Sequence, residues 1–231
     1  MIEIKNLPPR EMYSMFDVRF QNEGIFYFEN VISYPQRLLE VIQEIDSDPR
    51  SYPAINKWEE WTASNDNSWK IGMGKKITPK NKYISTGDSL LDKKILYVIN
   101  SLMMAPEMCA KYFYDGQSRY YKSINKQDEN FTPPKINFEN INLYTYNECQ
   151  GMGPHVDAED PTGTGTNLKY SFVTYLNDDY EGGEIEFQNQ KVRIKPKAGS
   201  LVMFPSTAPF VHESLPTKSG RKVMYTTHWV S

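Results

Sequence analysis

From Pro134 onward the chain is a run of short β-type segments broken by turns, and that alternation most narrows the folds open to it. Segments rich in Ile, Val, Tyr and Phe recur at 136–138, 141–146, 170–176, 184–187, 191–194, 201–204 and 223–229. Gly182-Gly183, Gly199 and Gly220 fall between several of them. Glycine reaches the positive φ that tight turns need, so short runs punctuated in this way read as antiparallel strands. There is no internal repeat. The pattern predicts a β sandwich or jelly roll.

The residues before Pro134 read differently. Residues 24–29 (Gly-Ile-Phe-Tyr-Phe-Glu) predict a first strand ending at Asn30. A helix follows from about residue 34, with Ser33 placed to cap it, Pro35 in the first turn, and Leu38, Leu39, Ile42 and Ile45 as its apolar stripe. Asp48-Pro49 stops it. The spacing of Leu91, Ile95, Val98, Ile99 and Leu102 predicts a second helix from Asp88 or Ser89 to about Met104. A shorter one is expected from Pro106 to Tyr114, with Pro106 at its first turn. Residues 50–82 carry Trp58, Trp61 and Trp69 among polar residues with no sustained period. Their indoles either cap the core or wall a substrate groove. Residues 115–134 are mostly polar and read as a long connection, a class of loop that is usually functional. At 231 residues the chain reads as one domain, 1–231, with a β core at 136–231 and a strand, helices and loops in 1–135.

Composition removes several function classes. The net charge is −3 with both signs mixed along the chain, which leaves no basic footprint for nucleic acid. Lys75-Lys76 and Lys93-Lys94 are short enough to read as solvated surface. The two cysteines, Cys109 and Cys149, give neither a disulfide framework nor a zinc spacing. Met1-Ile2-Glu3-Ile4-Lys5 lacks the apolar core of a signal peptide, and no apolar run has the length of a membrane span. The expectation is a cytoplasmic protein with no nucleic-acid and no membrane partner. Its 16 tyrosines suit a β-rich core and a pocket of polar-tipped rings.

The chain has only three histidines, and two of them fall in the stretches that carry the most chemistry. In Gly153-Pro154-His155-Val156-Asp157 the first is followed two residues on by a carboxylate. Residues i and i+2 of an extended segment project from one face, so His155 and Asp157 can grip one object together. His212, in Phe210-Val211-His212-Glu213, adds a second imidazole. Two imidazoles and one carboxylate suit a facial triad on non-haem Fe(II), which leaves coordination positions open. A His-x-Asp triplet alone is a weak signal that chance supplies. Arg221 stands at the entrance to the last predicted strand, and a buried guanidinium is costly unless its fork meets an anion. Tyr144, Tyr146 and Tyr175 offer hydroxyls from the strands flanking the His-Asp segment. Such a site suits a dicarboxylic acid held at both ends. The alternative is an Arg221 paired with a surface glutamate, and tyrosines that are simply core. His228 fits no role in this scheme and reads as structural.

In this order, His155-Val156-Asp157, His212 and Arg221 resemble the signature of the Fe(II)/2-oxoglutarate-dependent dioxygenases, most closely the prolyl 4-hydroxylase-type branch. Tyr146 precedes His155 in a strand-then-glycine context similar to that branch. Val173-Thr174-Tyr175-Leu176-Asn177 resembles the family strand whose tyrosine meets the co-substrate's distal carboxylate. Gly182-Gly183-Glu184-Ile185-Glu186-Phe187 resembles its Gly-Gly turn and following strand. Lys197-Ala198-Gly199-Ser200-Leu201-Val202-Met203-Phe204-Pro205 resembles the strand before the distal histidine. The likeness covers 136–231 well and the N-terminal strand and helix loosely.

The resemblance implies a mainly β fold with flanking helices: a double-stranded β-helix, the cupin-like jelly roll, with N-terminal helices packed on one sheet. It implies Fe(II) on His155, Asp157 and His212, and 2-oxoglutarate on Arg221 and Tyr175 with Tyr146 and Tyr144 beside them. O2 would be the oxidant and ascorbate the reductant. The implied reaction hydroxylates an unactivated C–H bond and releases succinate and CO2. The branch suggests a prolyl residue of a peptide or protein, with Trp58, Trp61, Tyr120 and Met152 along its groove. A free amino acid or small metabolite is the second substrate class, and a cupin-like metal enzyme without 2-oxoglutarate is a rival. Two departures stand out. Collagen-type prolyl hydroxylases anchor the co-substrate with a lysine at the position of Lys222, yet Arg221 is taken as the anchor here, with Lys222 turned to the opposite side of the strand. Many relatives also have an aromatic residue where this chain has Met152.

Overall fold

The computed structural model describes residues 17–22, 24–52, 54–60, 72–78, 82–123, 137–138, 141–158 and 168–230. Strands β1 (Asp17–Asn22) and β2 (Ile25–Glu29) form an antiparallel hairpin. Helix α1 (Pro35–Asp46) follows, then the short β3 (Glu59–Glu60), β4 (Met73–Ile77) and the long α2 (Ser89–Ser123). The β part begins with β5 (Asn137–Phe138), β6 (Ile141–Tyr146), β7 (Met152–His155) and β8 (Leu168–Tyr175). Next come β9 (Glu181–Gly182), β10 (Ile185–Phe187), β11 (Val192–Ile194) and β12 (Leu201–Pro205). The chain ends on β13 (His212–Ser214), β14 (Thr217–Ser219) and β15 (Lys222–Val230).

The large sheet runs β1-β2-β12-β8-β15-β6-β4-β3, with β5 also paired to β15. A smaller sheet runs β11-β10-β13-β7, and β14 pairs β9 in a two-stranded ribbon. Side chains from both sheets meet in one core that includes Tyr27, Tyr146, Val202 and Phe204 from the large sheet and Ile185 and Phe187 from the small one. Two antiparallel sheets closed on a shared interior make the double-stranded β-helix that was expected.

A second core lies on the other face of the large sheet. There Leu38, Val41, Ile42 and Ile45 of α1 and Ile95, Val98, Ile99 and Leu102 of α2 pack against Leu143, Phe172, Val223, Tyr225 and Trp229. Strand side chains alternate between faces, so each long strand of this sheet serves both cores. On β15, Val223, Tyr225 and Trp229 go to the helices and Met224 to the interior.

Three local expectations change. Ser33 does not cap α1: Tyr34 occupies that position and makes no side-chain capping bond. Pro35, first in the helix, has no N–H to satisfy and a φ already set for it. The two helices expected across 88–114 are one, with Pro106 inside it. Proline removes the N–H that the Leu102 carbonyl would accept. The Tyr225 hydroxyl donates to that carbonyl instead, at 2.9 Å. The helix runs on to Ser123 and takes in part of the expected connection, whose remainder, 124–134, lies outside the described residues. Among the described residues no helix is long and apolar enough to cross a membrane.

Candidate active site

The small sheet brings the two site histidines face to face. Pairing of β13 with β7 sets His212 directly opposite His155, with their ring centroids 4.3 Å apart. Asp157 follows two residues beyond β7. Its Oδ1 lies 3.3 Å from His155 Nε2 and 3.9 Å from His212 Nε2. One ligand atom from each of the three falls within 4.8 Å of the others. Each imidazole is aimed by its other nitrogen. His155 Nδ1 meets the Gly153 carbonyl at 2.8 Å and His212 Nδ1 meets the Phe210 carbonyl at 3.2 Å. A carbonyl only accepts, so both Nδ1 atoms carry hydrogen, and both Nε2 atoms are turned toward Asp157.

Burial sets the charges. It holds His212 down, to a pKa of about 4, where the nearby Asp157 only partly offsets it. The rings of Phe187 and Phe204 stand 5.7 and 4.5 Å from that imidazole. Burial also works against the Asp157 carboxylate, but hydrogen bonds from His155 and His228 outweigh it and hold the carboxyl well below its ordinary range. Desolvation opposes the His155 imidazolium, and Asp157 beside it turns the balance upward. An ionised carboxylate and a neutral buried imidazole are the forms a metal takes as ligands. The donor set and its orientation fit Fe(II).

These residues line a cavity of about 460 Å³ between the sheets. Tyr144, Tyr146 and Tyr175 line it, as does Met152. Tyr144 and Tyr146 both point inward, stacked with centroids 6.3 Å apart. Burial pushes the Tyr144 hydroxyl up to about 12, and those of Tyr146 and Tyr175 higher still, so all three stay protonated donors.

Lys222 packs behind two residues of the cavity wall, Tyr146 and Ser214. It is wholly buried, 4.6 Å from the Tyr146 ring centroid, and donates to the Gly183 carbonyl at 3.2 Å and to the Ser214 hydroxyl. Both partners are neutral, so desolvation drops its pKa to about 7, with Lys195 adding repulsion. Gly183 makes room: its φ is +65°, and a Cβ there would come within 3.2 Å of Lys222 Cδ. The Tyr146 hydroxyl beside it is buried without a hydrogen-bond partner. An under-paired ammonium and an orphaned hydroxyl fit a carboxylate.

Arg221, Trp58, Tyr120 and His228 do not stand where the sequence predicts. Arg221 is exposed and lines a separate hollow of about 330 Å³ with Leu39, Asp46 and Trp58, on the helix side of the sheet. It shares strand parity with Val223 and Tyr225, whose apolar side chains belong under the helices, so the guanidinium stays on that side and Lys222 turns to the interior. Trp58 packs on the helix-side core, its Nε1 donating to Asp46 Oδ2 at 2.9 Å and the Lys75 ammonium 4.5 Å from its ring centroid. It walls no groove at the triad. Trp61 lies outside the described residues, and Tyr120 lies in α2, not in a loop. His228, expected to be structural, lines the cavity with its Nε2 3.4 Å from Asp157 Oδ2. It shares parity with Lys222 and Met224, and that signal was present in the sequence.

Residues 141–231 match the model of the family described as the 2OG-Fe(II) oxygenase superfamily. That stretch, the C-terminal two fifths of the chain, is similar to this superfamily. The match supports a 2-oxoglutarate-dependent dioxygenase, and the stretch holds all three grouped ligands. No curated protein matches the chain in sequence. Among solved structures, it is similar to a prolyl hydroxylase from Trichoplax adhaerens in complex with a hypoxia inducible factor oxygen degradation domain peptide fragment. That likeness has 15% identity, a TM-score of 0.55, and covers 90% of this chain and 83% of the other. A 2OG-Fe(II) oxygenase family oxidoreductase from Burkholderia pseudomallei aligns at 12% identity and TM-score 0.54, covering 90% and 85%. A viral collagen prolyl hydroxylase from Paramecium Bursaria Chlorella virus-1 aligns at 18% identity and TM-score 0.49, covering 90% and 96%. The first two share this chain's fold.

Proposed function

We propose that this protein hydroxylates a prolyl residue of a peptide or protein, with ascorbate keeping the iron ferrous. We place it in the cytoplasm, with 1–231 acting as one catalytic unit. The observation that carries the reading is a cavity lined by the three converging ligands, with an under-paired lysine packed behind its Tyr146 and Ser214 wall. In this reading His155, Asp157 and His212 hold Fe(II). Lys222 binds the distal carboxylate of 2-oxoglutarate, and the Tyr146 hydroxyl donates to it. Fe(II) and 2-oxoglutarate, when bound, supply the oxidation of an unactivated C–H bond with loss of succinate and CO2. The chain's own part is placement and shielding. Tyr144, Tyr175 and Met224 wall the co-substrate's path, and Phe187 and Phe204 keep water from the back of His212.

The prolyl peptide is supported by the Trichoplax adhaerens neighbour, whose bound partner is a peptide fragment. The test supplies Fe(II), ascorbate, 2-oxoglutarate and proline-containing peptides in air. Succinate should form in step with peptide, and mass spectrometry should find one added oxygen atom on proline. Turnover driven by a free amino acid and by no peptide would replace this substrate with a small molecule. Absence of 2-oxoglutarate consumption under every condition would overturn the reading.

A further inference from the structure

Asp157 presents its two carboxylate oxygens to different partners. Oδ1 faces the two nitrogens of the converging histidines, at 3.3 and 3.9 Å. Oδ2 accepts a hydrogen bond from Ser171 Oγ and lies 3.4 Å from His228 Nε2. Ser171 is fixed in turn by the Ser206 hydroxyl at 2.8 Å, both residues being buried. His228 reaches Oδ2 from β15, where it stands opposite Ser171 of β8. It is not one of the three grouped ligands. A carboxylate oxygen only accepts, so the imidazole nitrogen facing it carries the hydrogen.

We propose that His228 is a positioning residue for the metal: with Ser171 it holds Asp157 Oδ2, so that Oδ1 alone is offered to the ion. A carboxylate chelating through both oxygens would fill a coordination position that a facial triad leaves for co-substrate and oxygen. Holding the outer oxygen keeps that position open and fixes the direction of the inner one. The inference rests on reading His155, Asp157 and His212 as the iron ligands.

The test is Co(II) binding to the full chain without 2-oxoglutarate or substrate, followed by the visible d–d absorption. Wild type should bind one ion, and Asp157→Ala should bind far more weakly. His228→Phe keeps a ring and loses the donor. It should bind Co(II) about 10- to 100-fold more weakly, with an altered spectrum as Asp157 turns toward two-oxygen ligation. His228→Gln can place an N–H where Nε2 stood and should recover most of the affinity and the wild-type spectrum. Should His228→Phe not fold, His228→Asn, whose amide is too short to reach Oδ2, takes its place with the same expectation. Wild-type affinity and spectrum in the folded donor-less variant would overturn the inference. So would a loss in His228→Gln equal to that in His228→Phe, the mark of a packing role. A wild type that binds Co(II) no better than Asp157→Ala would overturn the iron site itself, a result distinct from either.

Discussion

Along β15, Val223, Tyr225 and Trp229 turn to the helices, while neighbours one residue away, Lys222, Met224 and His228, turn to the interior. The outer set is apolar area packed on α1 and α2, and its one paired hydroxyl, on Tyr225, repairs the carbonyl that Pro106 leaves open. The inner set carries a buried ammonium without a carboxylate and a histidine turned to Asp157. The outer face has orphans of its own, Thr227 Oγ1 and Trp229 Nε1, and its buried cation, Lys75, is paired with the Asp46 carboxylate. One strand therefore stabilises the fold with alternate residues and holds reactive groups with the rest. Changes on the outer face should act on stability, and changes on the inner face on ligands.

The largest contrast lies between Trp229 and Lys222. Trp229→Ala empties the helix-side core and should lower stability by about 3–5 kcal/mol, read as a shift of the urea midpoint, with the 2-oxoglutarate KM of the folded fraction unchanged. Lys222→Met should raise that KM on the order of 100-fold, the equivalent of about 3 kcal/mol lost with one partner of a buried pair. Its folding should survive.

Lys222 also gives the comparison a pH signature. Its pKa falls from an ordinary 10.5 to about 7 in the folded protein. Between these values the unfolded chain keeps a proton that the folded chain has lost, so this group makes the ligand-free protein more stable as pH rises through that window. Below about 7 both states hold the proton and the slope vanishes. Binding of 2-oxoglutarate calls for the ammonium, so its affinity should fall as pH climbs above that value. Lys222→Met should flatten both trends, measured by thermal melts and calorimetry across the window.

Smaller effects sharpen the same division. Tyr225→Phe leaves the Leu102 carbonyl unpaired beside Pro106 and should cost about 1–3 kcal/mol of stability, with turnover of the folded enzyme intact. Arg221→Ala, at an exposed position, should change stability by no more than about 0.5 kcal/mol.

The fold was legible because strand segments and glycine turns are local signals. The ligand set was legible because His155 and Asp157 are two residues apart, and His212 was the remaining histidine outside the last strand. Strand phase decided what was missed. Arg221 and Lys222 are adjacent, and guanidinium chemistry alone favoured the first. The apolar parity of Val223, Tyr225 and Trp229 placed the second inside and would have placed His228 there too. Trp58 could not be read from spacing, since its partners Asp46 and Lys75 come from a helix and a strand far along the chain. The length of α2 was hidden because the repair of Pro106 comes from Tyr225, more than a hundred residues away.

The most direct test sets the two neighbours side by side: calorimetric binding of 2-oxoglutarate to the metal-loaded Lys222→Met and Arg221→Met proteins. An inner Lys222 and an outer Arg221 predict near-complete loss of binding in the first and wild-type affinity in the second. Retained binding in Lys222→Met together with loss in Arg221→Met would contradict the assignment of the inner face.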